Sequence, residues 1–163
     1  MGLVDAAPTQ HTAARAWARV LVVLAIVIAI DQVTKALIRN WLAVGEEHKL
    51  LPFLKFLRAQ NKGVAFNFLG NGGAPVIIVT LLALALLVGY FARRPDRPLM
   101  WLPTGLLLGG ALGNLLDRVR DGHVTDFITF PHFPSFNCAD MAITFGVVIL
   151  VLVLERGGRA VGD

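Results

Sequence analysis

The chain has 163 residues, of which 56% are hydrophobic and 16% charged, with a formal net charge of +4. A soluble domain of this length could not hide so much apolar surface, so composition points to an all-α integral membrane protein. The basic residues gather at the ends of apolar runs, a membrane-orientation pattern that argues against nucleic acid, and the single cysteine excludes an internal disulfide.

Residues 1–15 read as a flexible polar tail. The first apolar span covers 17–38. Arginines followed by an apolar run also describe a signal peptide. Here the run passes directly into Asp31-Gln-Val-Thr-Lys35 with no small-residue cleavage site, so an uncleaved span is the better reading. Asp31 and Lys35 stand four apart on one helix face, in the favoured order. At about 1.5 Å per residue they reach the far leaflet. An ion pair that locks the first helix is the reading preferred for them, and support of a nearby site is compatible with it.

The link 39–74 is too apolar for an idle loop. It holds Leu50-Leu-Pro-Phe-Leu-Lys-Phe-Leu57 and Val64-Ala-Phe-Asn-Phe-Leu69, separated by the turn signal Gln60-Asn61-Lys62-Gly63. A hairpin on the membrane surface is one reading. A short amphipathic helix over 50–58 is the other, because the apolar spacing there does not strictly alternate.

The second span, 75–92, opens with Pro75, which a first helical turn tolerates. The third covers 99–116 and the fourth 138–154, each near the roughly 20 residues a bilayer requires. Arg15 and Arg19, the group Arg93, Arg94 and Arg97, and the pair Arg156 and Arg159 mark one side as cytoplasmic. Both termini then lie inside, and the links 39–74 and 117–137 lie outside. Lys49, Lys55, Arg58, Lys62, Arg118 and Arg120 in those outer links make the bias imperfect. Gly105, Gly109 and Gly113 repeat every fourth residue, a pattern for close helix packing.

Asp126 and Asp140 flank a short loop joining two apolar runs, so both carboxylates are expected at one end of a helix pair. Acids beside hydrocarbon cost a few kcal/mol and are functional candidates. Two adjacent carboxyl groups share a proton: one can take a proton from water while the other donates to a carbonyl. The competing reading is that each caps a helix or pairs with an arginine. Asn61, Asn114, Arg118 and Asn137 could hold a peptide backbone or orient the carboxylates. Ordinary turn and cap chemistry is the alternative for them.

Other chemistries lack their residues. Ser135 is the only serine and has no Gly-x-Ser-x-Gly setting. The histidines at 11, 48, 123 and 132 lack metal-ligand spacing, and Cys138 has no adjacent histidine. Neither a metal nor a cofactor is expected.

The boxes Asp31-Gln-Val-Thr-Lys35, Asn61-Lys-Gly-Val-Ala-Phe66, Gly109-Gly-Ala-Leu-Gly-Asn-Leu-Leu-Asp-Arg118, Gly122-His-Val-Thr-Asp-Phe127 and Phe136-Asn-Cys-Ala-Asp140 resemble, in order, those of the bacterial lipoprotein signal peptidases (signal peptidase II). Several boxes in one order are more specific than any single one. The resemblance implies a single-domain membrane aspartic endopeptidase with four transmembrane helices and a small extracytoplasmic β-cradle at roughly 48–69. It implies cleavage of a diacylglyceryl-modified prolipoprotein just before the lipidated cysteine, by a monomer in the bacterial inner membrane. Position by position, Asp126 and Asp140 correspond to the catalytic pair. Asn61, Asn114, Arg118 and Asn137 correspond to substrate-binding or dyad-orienting positions, and Asp31 and Lys35 to a supporting pair. Thr125 departs from the family, where an aliphatic residue is more usual, and Cys138 fills a variable position.

Two other classes compete. A proton relay or small transporter would run through Asp31, Lys35, Asp126 and Asp140, but these cluster at one membrane level and spans two and four carry no mid-membrane charge. An anchoring subunit would use the glycine face. Both rank below the protease.

Overall fold

Apolar runs bounded by arginines fold here into helices. The computed structural model describes residues 10–63 and 74–159. In chain order they form α1 (Gln10–Trp41), β1 (Glu47–Leu51), β2 (Leu54–Asn61), α2 (Ala74–Arg93), α3 (Trp101–Asp121), β3 (Val124–Thr129) and α4 (Cys138–Arg159). The protein is mostly helical, with four helices and one small antiparallel sheet, in the order β1-β2-β3, among the described residues. Among the described residues two helices are long and apolar enough to cross a membrane, over Thr12–Trp41 and Cys138–Arg156, and α2 has a shorter apolar stretch over Ile77–Arg93. Leu21 and Ile26 on α1, Leu82 and Leu86 on α2, and Val148 and Val151 on α4 are all exposed. Such outward hydrocarbon suits lipid as the surrounding solvent.

The central helix is α3, packed chiefly against α1 and α4 and less against α2. Its glycines make this possible. A Cβ on Gly105 or Gly109 would lie 2.7 Å from the Cβ of Val23 or Val27 of α1, and one on Gly113 would lie 2.7 Å from Asp31 Oδ2. On the adjoining face, a Cβ on Gly110 would meet Ala139 O of α4 at 2.5 Å. The four-residue glycine repeat is therefore the α1 contact, as its spacing predicts. At the end bearing Arg15 and Arg19, Ala16, Val20, Phe91, Met100 and Leu108 form a buried cluster. Trp17 meets Phe91 edge-on at 4.8 Å.

Several expectations shift. Helix α1 begins at Gln10, so residues 10–15 of the expected tail are helical, while 1–9 lie outside the described residues. Leu99, expected to open the third span, precedes α3 with a left-handed φ of 60°, and the helix runs on to Asp121. The hairpin replaces the alternative helix over 50–58, but its turn falls at Pro52-Phe53, where Leu51 pairs with Leu54. Proline's fixed φ suits the first corner of such a turn. Asn61, expected in the turn, ends β2 and pairs with Val124 of β3. The 64–69 part of the expected cradle lies outside the described residues.

Gly109→Val should force α1 and α3 apart, with a loss on the order of 1–3 kcal/mol, the usual scale of overpacking. Thermal unfolding in detergent measures it. Gly89→Ala, whose Cβ would find only Arg93 NH1 at 3.8 Å, should leave the midpoint unchanged or slightly raised.

Candidate active site

Asp140 lies in the first turn of α4, which begins in a reciprocal cap. The Asp140 amide donates to Asn137 Oδ1 (3.0 Å) and the Asn137 amide donates to Asp140 Oδ2 (3.2 Å), so each satisfies a donor that the helix start leaves free. The other oxygen, Oδ1, accepts from Asn114 Nδ2 of α3 at 2.8 Å. Capping and candidate chemistry thus reside in one carboxylate.

Asp126 comes from the strand β3 within the link 117–137, where the expectation was only that it would flank a short loop between two apolar runs. Its β-branched run Val124-Thr-Asp-Phe-Ile-Thr129 favours extended backbone. Asn137 Nδ2 donates to Asp126 Oδ1 at 2.7 Å and Asn61 Nδ2 donates to Oδ2 at 3.0 Å. The Asn61 amide is oriented by its own oxygen, which accepts from Gly63 N at 2.8 Å. Asn137 therefore contacts both carboxylates, one through its side chain and one through its backbone. Burial pushes the Asp126 carboxyl up from its ordinary 3.8 to about 6. Donation from Asn61 opposes the rise, the nearby Asp140 charge adds to it, and the Asn137 donor and Lys35 oppose it more weakly.

Behind the pair lies an ionic cluster. Lys35 is fully buried, 2.8 Å from Asp31 and 3.2 Å from Asp117, both also fully buried. Its ammonium also donates to Asn114 Oδ1 at 2.9 Å, and Asn137 Nδ2 approaches that oxygen at 3.1 Å. Asp31 Oδ1 accepts from the Ala139 amide of α4 (3.0 Å), and Asp117 Oδ2 from the Thr125 amide of β3 (3.1 Å). Arg118 bonds only weakly to the Asn114 carbonyl (3.4 Å), and its buried Nε has no partner among the described residues.

All eight residues singled out in the sequence, Asp31, Lys35, Asn61, Asn114, Arg118, Asp126, Asn137 and Asp140, thus gather at one end of the helices. The signal peptidase (SPase) II family profile matches residues 23–155. The chain is 44% identical over 141 residues to the lipoprotein signal peptidase of Moorella thermoacetica, covering 84% of this chain and 94% of that one. It is 40% identical over 150 residues to that of Symbiobacterium thermophilum, covering 85% and 98%. A solved structure described as a bacterial membrane enzyme superposes with a TM-score of 0.76 at 34% identity, covering 83% of this chain and 91% of that one. The chain belongs to the signal peptidase II family.

It is therefore a peptidase of the lipoprotein signal peptidase class and a bacterial membrane protein. Two residues of the site of this signal peptidase II, Asp117 and Gln32, were not singled out in the sequence, and Thr125 was noted there only as a departure from the family. Asp117 is the second counterion of Lys35. Gln32 donates to Asp31 Oδ2 (3.0 Å) and Asp117 Oδ1 (3.1 Å), and the Thr125 hydroxyl accepts from Arg39 (3.2 Å). Asp117 had a readable signal, since it follows Asn114 by three residues on one helical face.

Because Asp126 binds its proton more tightly folded than unfolded, its contribution to stability is full below about pH 4 and is lost as pH rises through about 6. Asp126→Asn should lack this slope. Whatever the fixed offset between the two proteins, the difference in unfolding midpoint should move in the variant's favour between pH 4 and 7, then level off. Parallel curves for parent and variant across that range would contradict the raised value.

Proposed function

We propose that this chain is an aspartic endopeptidase that removes the signal peptide from a diacylglyceryl-modified prolipoprotein, cutting just before the lipidated cysteine. The observation that carries this reading is Asn137, which contacts the carboxylates of both Asp126 and Asp140. One carboxylate takes a proton from water as the water attacks the scissile carbonyl. The other donates to the carbonyl oxygen, and a proton then passes to the leaving amine. The reaction forms no acyl-enzyme. Asn61, Asn114 and Asn137 orient the pair, Asp31 and Lys35 support it, and the Nε of Arg118, without a partner among the described residues, is a donor available to substrate backbone.

In this reading all four helices cross the bacterial inner membrane as one domain acting as a monomer, with both termini in the cytoplasm. The sheet lies at the extracytoplasmic surface with the carboxylates. The arginines at the far ends of α1, α2 and α4 support that direction. An apolar cleft of about 400 Å³, lined by Phe133, Phe136, Met141, Thr144 and Phe145, has Asp140 on its wall. Such a cleft suits a substrate that arrives sideways from lipid.

Purified chain should cleave a diacylglyceryl-modified precursor before the modified cysteine. Asp126→Asn and Asp140→Asn should each lower turnover by on the order of 10³-fold, within the range for lost acid–base catalysis, while remaining folded. Asn114→Ala should lower it roughly tenfold, about the worth of one hydrogen bond. Full activity in either aspartate variant would remove the pair from the chemistry.

A further inference from the structure

A second polar recess backs onto the carboxylate pair. Side chains alternate across a strand, so Asp126 and Thr125 leave β3 on opposite faces. On the Thr125 side an open cleft of about 460 Å³ is lined by Arg39, Arg58, Arg120, Asp121 and His123.

The charges of this recess do not close. Arg120 pairs closely with Asp121 at 2.8 Å. Arg39 reaches Asp117 only at 3.8 Å and Asp121 only at 3.9 Å, and those carboxylates are held more tightly by Lys35 (3.2 Å) and Arg120. Arg58 is half-buried and donates to two neutral acceptors, the carbonyls of Arg39 (3.1 Å) and Leu42 (3.0 Å). No carboxylate lies within 4.0 Å of Arg58 among the described residues. Among the described residues, Arg39, Arg58, Arg120 and Asp121 of the lining together with the buried Lys35, Asp31 and Asp117 behind it make four cations against three anions. Half-buried charge without a counterion is costly, and a guanidinium is shaped to bind phosphate oxygens in pairs.

The surroundings indicate where an anion would come from. Arg39 lies two residues before Trp41, an exposed aromatic of the type found at membrane–water boundaries. Leu116 and Val119, four residues and one residue before Arg120 on α3, are exposed hydrocarbon. We infer that this recess binds the phosphodiester of an anionic phospholipid between Arg39 and Arg58, with the acyl chains lying along the exposed Leu116 and Val119. The inference rests on the proposed placement of this end at the outer membrane surface. Its test reads bound lipid and not cleavage, so the two can fail separately.

The full chain, in detergent with equal amounts of dioleoyl phosphatidylglycerol and dioleoyl phosphatidylcholine, is analysed for retained lipid by native mass spectrometry. Phosphatidylglycerol should be preferred, and Arg39→Gln with Arg58→Gln should reduce its retention by roughly thirtyfold, on the scale of two cations near an anionic headgroup. Lys55→Gln, which removes one positive charge from β2 outside the recess, should change nothing. If the double variant does not fold, Arg120→Gln, whose side chain is half exposed, should still weaken retention severalfold. Equal retention of both lipids, unchanged retention in the arginine variants, or an equal loss in Lys55→Gln would overturn the assignment. So would displacement of the lipid by millimolar inorganic phosphate, which would make the recess a site for free phosphate.

Discussion

The buried ammonium of Lys35 is the interaction on which the rest of the outer end depends. Taking an ion out of water costs several kcal/mol even after relaxation, and Lys35 is tolerated only because Asp31 and Asp117 approach within 2.8 and 3.2 Å. Each counterion then uses another oxygen to hold backbone from a different element, Ala139 of α4 and Thr125 of β3. One cation therefore ties α1, α3, α4 and the sheet together. Removing it would leave two buried carboxylates facing each other without their counterion, a strongly destabilising change.

The same ammonium settles the orientation of an amide. An asparagine side chain can present oxygen or nitrogen to a neighbour. Because Lys35 donates to Asn114 Oδ1, the Asn114 nitrogen must face Asp140. The same oxygen also meets Asn137 Nδ2, whose shorter bond goes to Asp126. The polar chain thus runs from a charge that cannot move to both carboxylates. The backbone reaches this geometry only because Gly113 admits Asp31 to within 2.7 Å of where a Cβ would sit.

Much of this was legible in the sequence, for physical reasons that differ by element. The helices were visible because apolar runs near 20 residues have few other outcomes. Asp31 with Lys35, and the glycine repeat, were visible because a helix converts spacing directly into a shared face. The sheet was harder. Strand β3 is six residues long, and its partner residues in β2 stand more than 60 positions away, as with Ala59 and Asp126, so no local period reveals the pairing. The hairpin turn was misplaced because Gln60-Asn61-Lys62-Gly63 carries stronger turn chemistry than Pro52-Phe53. Asn61 uses that chemistry differently, accepting from Gly63 to aim its nitrogen at Asp126. Asp117 shares a helical face with Asn114, but that it is a counterion of Lys35 emerges only when α1 packs against α3.

The two candidate carboxylates reach one place from unlike supports, and this matters for how they could divide a reaction. Asp126 is buried on a strand, and the desolvation that raises its proton affinity outweighs two side-chain donors. Asp140 stands in the first turn of a helix and is half-buried on the wall of an apolar cleft. A pair in equivalent settings would exchange its proton without preference. Here one carboxyl sits on a strand between two side-chain amide donors and the other closes a helix cap beside an apolar cleft, so the environment breaks the symmetry that two identical side chains would otherwise have. The proton the two share still belongs to the coupled pair. What the fold adds is a bias on it, set by β3 on one side and the α4 cap on the other, and bridged by Asn137.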